Sequence, residues 1–62
     1  MTKSIAAIRI LVVDDHPLMR GGVAALLASH EDMDLVAEAS SGLEAIEKHK
    51  LMHPDVTLMD LQ

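Results

Sequence analysis

Asp14 and Asp15 follow directly on the apolar run Ile8-Arg9-Ile10-Leu11-Val12-Val13, and Asp60 follows directly on Val56-Thr57-Leu58-Met59. In open α/β sheets, ligands bind outside the carboxyl ends of the strands, so acids at those positions are placed for chemistry. If the two strands are neighbours, three carboxylates converge. Two like charges about 4 Å apart repel by roughly 4 kcal/mol at an effective dielectric of 20, so such a cluster calls for a counter-charge. A hard divalent cation such as Mg2+ takes carboxylate oxygens, keeps several waters and can exchange them for phosphoryl oxygens. One carboxylate can then attack phosphorus while the metal offsets the developing charge, which gives an aspartyl phosphate. The plainer alternative is that Asp14-Asp15 ends a strand near a helix N-terminus, where negative charge is favoured, and that Asp60 is a solvated turn residue.

The elements that must position these acids are legible in the residue order. Ile8–Val13 is β-branched and almost continuously apolar, as a parallel strand covered on both faces is, with Arg9 near its start able to reach solvent. His16-Pro17 opens a helix, because proline suits the first helical turn. Leu18, Met19, Gly22, Val23, Leu26 and Leu27 recur at helical spacing and are expected to form its buried face. Gly21-Gly22 costs helix propensity, and close packing of the helix backbone on the sheet is its expected cause. His30–Asp34 is a polar connection, and Leu35-Val36-Ala37-Glu38-Ala39, which alternates only partly, reads as an edge strand. Ser41-Gly42-Leu43-Glu44 matches a capping box ahead of a second helix. That helix carries Leu43, Ala45, Ile46 and Leu51, has a favourable Glu44–Lys48 spacing, and ends near His53 because Pro54 follows. Asp55–Met59 is a third strand. The β-α-β-α-β order implies a parallel sheet with right-handed crossovers. Residues 1–7 read as a flexible leader ahead of one domain at 8–62.

Composition narrows the function. The chain has 62 residues, half of them hydrophobic, with no cysteine and no aromatic residue. Disulfides, thiol chemistry and base-stacking platforms are therefore excluded. A net charge of −5 argues against contact between this segment and a nucleic-acid backbone. No apolar run reaches membrane-spanning length and no secretory h-region is present, so a cytoplasmic location is expected. A domain this small buries only about 60% of its unfolded surface, so a metal, a partner or membership of something larger is expected to support it.

Ile10-Leu11-Val12-Val13-Asp14-Asp15-His16-Pro17-Leu18-Met19-Arg20-Gly21-Gly22-Val23 and Pro54-Asp55-Val56-Thr57-Leu58-Met59-Asp60-Leu61-Gln62, joined by Ala37–Ala45, resemble the receiver domains of two-component response regulators. Asp-Asp-His-Pro with Arg-Gly-Gly-Val most resembles the subfamily with a LuxR-type helix-turn-helix output. The resemblance implies the N-terminal βαβαβ half of a flavodoxin-like α/β fold, with strand order 2-1-3 and the fourth and fifth strands absent. It implies that Asp60 is the phosphoacceptor, served by a histidine kinase. It further implies that Asp15, Asp60 and the Gln62 backbone carbonyl ligate Mg2+, with Asp14 acting through water. The family's fourth-strand Ser/Thr, fifth-strand Lys and aromatic switch residue have no counterpart here. Phosphorylation of this segment is therefore expected to be weak, and DNA contact would lie in an output domain of the parent.

In the 2-1-3 order the third strand is an edge, which exposes Val56, Leu58 and Met59. Self-association across it into a two-fold, antiparallel 2-1-3-3′-1′-2′ sheet is expected, or pairing with the C-terminal half of a receiver. Two other functions fit less well. A carboxylate-dependent phosphatase of the haloacid dehalogenase type needs an Asp-x-Asp pair, which neither acidic site provides. Intact Asp14, Asp15 and Asp60 argue against a non-phosphorylatable interaction module as the parent, although the missing half makes that a fair description of this segment. His49 and His53 have i, i+4 spacing but lack the H-E-x-x-H pattern and a third ligand for zinc. His16, beside the acids, reads as an N-cap or exposed residue that can tune access to them. The five methionines read as core filler.

Overall fold

The computed structural model describes residues 7–60 and contains five elements: β1 (Ile8–Asp14), α1 (Pro17–Ala28), β2 (Met33–Ala39), α2 (Gly42–Met52) and β3 (Val56–Asp60). All three strands are parallel and lie in the order β2-β1-β3. The expected architecture and strand order are both present. The expected leader falls almost wholly outside the described residues, as does Gln62.

β1 is the axis of the molecule. Ile10, Leu11, Val12 and Val13 are all buried, because each face of the strand is covered by one helix. Leu11 and Val13 pack with Ala39 and Ala45 on the α2 side, joined by Ala37. Ile10 and Val12 pack with Leu27 on the α1 side, joined by Val23, Met33 and Leu35. The partial alternation of β2 has a local cause. Ile10 pairs with Leu35 but Leu11 pairs with Ala37, so Val36 is an extra residue in the ladder. That bulge shifts the phase of β2, so Leu35 joins one core and Ala37 joins the other.

The apolar faces expected for the helices are only partly buried. In α1, Leu27 is buried and Val23 packs against it, whereas Leu18, Met19 and Leu26 are 90%, 57% and 62% exposed and Gly22 is exposed. In α2, Ala45 is buried but Leu43, Ile46 and Leu51 are exposed. The cause is geometric. Both helices pack over β1 and β2, and neither is packed against β3. The side chains that lean toward β3 therefore rim shallow hollows on both of its faces. Met19 and Val23 line one hollow with Leu58, and Ile46 lines the other with Met59. The glycine pair does not serve close packing either. A Cβ built at Gly21 or Gly22 meets nothing within 4 Å.

The ends of α2 follow local rules. Ser41 is the N-cap and its hydroxyl oxygen accepts from the Glu44 N–H at 3.2 Å. The Glu44 carboxylate reaches back one residue beyond the cap, accepting from Ser40 N at 2.7 Å and Ser40 Oγ at 2.9 Å. His53 closes the helix in the left-handed region at φ 48°, its N–H donating to His49 O. It leaves helical geometry as the following proline requires. The chain then turns into β3 under a clamp. Arg9 N donates to Asp55 Oδ2 at 2.9 Å, Asp55 N donates to Arg9 O at 2.8 Å, and Arg9 Nη1 donates to His53 O at 3.1 Å.

The bonds from Ser40 hold the Glu44 carboxyl below its ordinary value of 4.5, the backbone N–H contributing most and the Lys48 and Arg20 charges adding to it. A lowered carboxyl stabilises the fold above pH 4.5, and that contribution is lost as pH falls from 4.5 through the lowered value. The expected outcome is that Glu44→Gln is less stable than wild type at neutral pH and that the gap closes on acidification. Urea midpoints measured across that pH range check it.

Candidate functional site

The register of β1 and β3 decides where the acids meet. Ile10 pairs with Val56, and the ladder runs without slip to Asp14 opposite Asp60. Asp15 follows at once, so all three acids lie at the carboxyl end of the sheet. Strand adjacency places the three acids at one end of the sheet, but the donor atoms that lie within 4.8 Å of one another are those of Asp14, Asp15 and His16, without Asp60. Asp14 is the last residue of β1 rather than the first residue beyond it, and it is only 3% exposed. Asp15 and Asp60 are exposed. Asp14 and Asp60 line one hollow together, and His16 and Asp60 line another with Leu18, Met19 and Gly22.

A buried carboxylate must be hydrogen-bonded. Asp14 Oδ1 accepts from the His16 backbone N–H at 2.9 Å and faces His16 Nδ1 at 3.2 Å. The same ring nitrogen stands 2.9 Å from Asp15 Oδ1. Carboxylates only accept, so Nδ1 carries the hydrogen in this arrangement. His16 occupies the N-cap position of α1, as expected, but its side chain makes no capping bond and turns to the two acids instead. Sequence reasoning placed His16 beside the pocket without assigning it to both carboxylates.

Sequence reasoning missed Arg20 altogether. Its Nη1 donates to the Asp14 carbonyl at 2.9 Å, and its Nε pairs with Glu38 Oε1 at 3.2 Å. One side chain thus ties the first turn of α1 to the ends of β1 and β2. A signal was available. Arg20 lies four residues after His16, and helical side chains lean toward the N-terminus, so it must reach back over the end of β1.

Asp14, Asp15 and His16 each offer a donor atom, and these atoms lie within 4.8 Å of one another. Two adjacent carboxylates with a third acid opposite in register fit a hard divalent cation, since oxygen donors dominate the set. Among the described residues, no Lys or Arg is paired with the Asp14 or Asp15 carboxylate. The expected fourth contributor, the Gln62 carbonyl, lies outside the described residues. Across the described residues no helix is long and apolar enough to cross a membrane.

Residues 10–62 match the response regulator receiver domain. The chain is 44% identical over 55 residues to the transcriptional regulatory protein LnrK of Bacillus subtilis, covering 89% of this chain and 25% of LnrK. It is 46% identical over 54 residues to the response regulator protein VraR of Staphylococcus saprophyticus, covering 87% of this chain and 26% of VraR. It is also 47% identical over 53 residues to a protein-glutamate methylesterase/protein-glutamine glutaminase of Methanosarcina acetivorans, covering 86% of this chain and 15% of that protein. The chain therefore spans about a quarter of the length of the two regulators and less of the methylesterase.

Arg20 joins three elements through a charged donor to a part-buried carbonyl. Arg20→Met is expected to cost about 1.5 kcal/mol. Glu38→Gln, which loses only the more exposed ion pair, is expected to cost less than about 1 kcal/mol. Urea unfolding of the two variants checks the order.

Proposed function

We propose, because this chain belongs to the response regulator receiver domain family, that Asp60 accepts a phosphoryl group from a histidine kinase in a Mg2+-dependent step. The observation that carries this reading is the pairing of Asp60 with Asp14 at the carboxyl end of the sheet. A carboxylate oxygen of Asp60 attacks phosphorus, the bond from phosphorus to the kinase's histidine nitrogen breaks, and an aspartyl phosphate forms. The exposure of Asp60 admits a donor from solvent. Asp15 and Asp60 would hold the cation, with Asp14 acting through water and the Gln62 carbonyl as the remaining protein oxygen, and Mg2+ would offset charge on the transferring group. The burial of Asp14 and its bonds from His16 keep that carboxylate in one place.

The whole protein of which this segment is a part is proposed to be a cytoplasmic DNA-binding transcription regulator of the LuxR type. Asp-Asp-His-Pro with Arg-Gly-Gly-Val and the similarity to a protein named as a transcriptional regulator support that output. The chain is not itself an enzyme in this reading. Labelling of the Asp60 carboxylate is the readout of this reading. The measurement is intact mass after incubation with acetyl phosphate. A gain of one phosphoryl group that needs Mg2+ and is absent from Asp60→Asn is expected, whereas equal labelling of Asp60→Asn removes the assignment.

β3 supports a second feature. It is an edge strand on which Val56, Leu58 and Met59 are 41%, 42% and 59% exposed. Among the described residues no strand pairs with its outer side, which lies between two apolar hollows. The proposed occupant is a second copy of the chain, joined through antiparallel β3–β3′ pairing into a six-stranded sheet. Sedimentation equilibrium is expected to show a dimer that Leu58→Lys dissociates. A monomer that dimerises with nothing but binds the C-terminal half of a receiver would assign the edge to that half instead.

A further inference from the structure

We propose that Arg20 is a positioning residue for Asp15: it fixes the peptide unit that aims the Asp15 carboxylate, although its own charge opposes a cation there. This rests on the reading of Asp15 as a cation ligand and adds the side chain that holds that ligand in place. Asp15 lies one residue beyond the last ladder pair, Asp14–Asp60, so the sheet itself does not orient it. It is exposed, so packing does not orient it either. Its carboxylate meets the ring of His16, which is itself exposed.

The backbone on both sides of Asp15 is held instead. Two planar peptide units flank its Cα. The unit before it carries the Asp14 carbonyl, which accepts from Arg20 Nη1 at 2.9 Å. The unit after it carries the His16 N–H, which donates to Asp14 Oδ1 at 2.9 Å. With both planes fixed, the direction of the Asp15 Cα–Cβ bond is fixed too. The Arg20 backbone N–H also donates to the His16 carbonyl at 2.9 Å, so this one residue grips the chain before and after Asp15.

The guanidinium is anchored in its turn. Its Nε pairs with Glu38 Oε1 at 3.2 Å at the end of β2, and the Arg20 side chain is only 22% exposed. A planar fork with both ends engaged has to give up both bonds to turn toward the acids. Arg20 therefore brings positive charge close to a site for a cation without pairing with the Asp14 or Asp15 carboxylate. Like charges repel, so losing that charge alone tightens cation binding. Losing the grip on the Asp14 carbonyl loosens it. The two effects have opposite signs, and a role in stability alone leaves the affinity of the folded molecules unchanged.

The test is a Mg2+ titration of the 62-residue chain followed by nuclear magnetic resonance, which reads the folded molecules directly. Arg20→Met is expected to raise the Mg2+ dissociation constant about tenfold, as removal of a group that supports a ligand does. Arg20→Lys keeps the charge but cannot span both partners, and is expected to raise it as well. In the metal-free chain the Asp14 carbonyl carbon resonance is expected to move in both variants. Glu38→Gln, which leaves an oxygen for Nε, is expected to move that resonance little and to change the affinity by less than about threefold. An unchanged or lowered dissociation constant in Arg20→Met overturns the proposal. If Arg20→Met does not fold, Arg20→Lys decides, and an affinity equal to wild type overturns the proposal. Asp15→Asn separates this claim from the one beneath it. Binding lost in Asp15→Asn but unchanged in the Arg20 variants keeps the pocket and removes only Arg20. Binding that persists in Asp15→Asn removes Asp15 as a ligand, and the proposal with it.

Discussion

Parallel pairing of β1 with β3 is the constraint on which the site depends. Asp14 and Asp60 lie far apart in the chain, and only the ladder between these strands puts them opposite each other. The pairing is set at its lower end by the Arg9–Asp55 clamp. One backbone bond from Asp55 N to Arg9 O, one from Arg9 N to the Asp55 carboxylate and a guanidinium bond to His53 O seat the start of β3 beside Arg9, and the ladder then counts up from Ile10–Val56 to Asp14–Asp60. A slip of one residue would turn the β3 side chains to the opposite faces. The clamp thus acts on the acidic end from the opposite end of the strand.

Charge concentrated there is managed locally. Asp14 is buried, which is costly for an ionised carboxylate without partners. His16 supplies two donors, its backbone N–H and its ring nitrogen, and the ring nitrogen also meets Asp15. Arg20 adds positive charge at the Asp14 carbonyl and links it to Glu38 on β2. The result is a strand end fixed by the first turn of α1, with Asp15 and Asp60 left open to solvent.

The same topology leaves the apolar surface unevenly covered. β1 is sealed between two helices, while β3 is covered by neither. Leu18, Met19, Ile46, Leu58 and Met59 are consequently exposed around it. A composition of half hydrophobic residues is that of a globular domain, yet the large apolar side chains beside β3 are exposed. This asymmetry accounts for helices whose apolar stripes are wider than the faces they bury.

The residue order by itself determined the elements and their sequence. Ile10–Val13 can only be a doubly covered strand, Ser41 with Glu44 marks a helix start, and Pro54 marks its end. These signals are local, so they survive without knowledge of the fold. It also showed three acids at strand ends, because position within an element is local information too. Tertiary structure alone decided which apolar residues are buried, since that depends on which strand each helix covers. It decided the bulge at Val36, which compensates between two cores that no single segment contains. It decided that the His16 ring faces both Asp14 and Asp15, and that Arg20 reaches Glu38, because side-chain direction follows from the angle at which α1 leaves the sheet. Long-range register and helix placement are properties of packing, and no stretch of neighbouring residues encodes them alone.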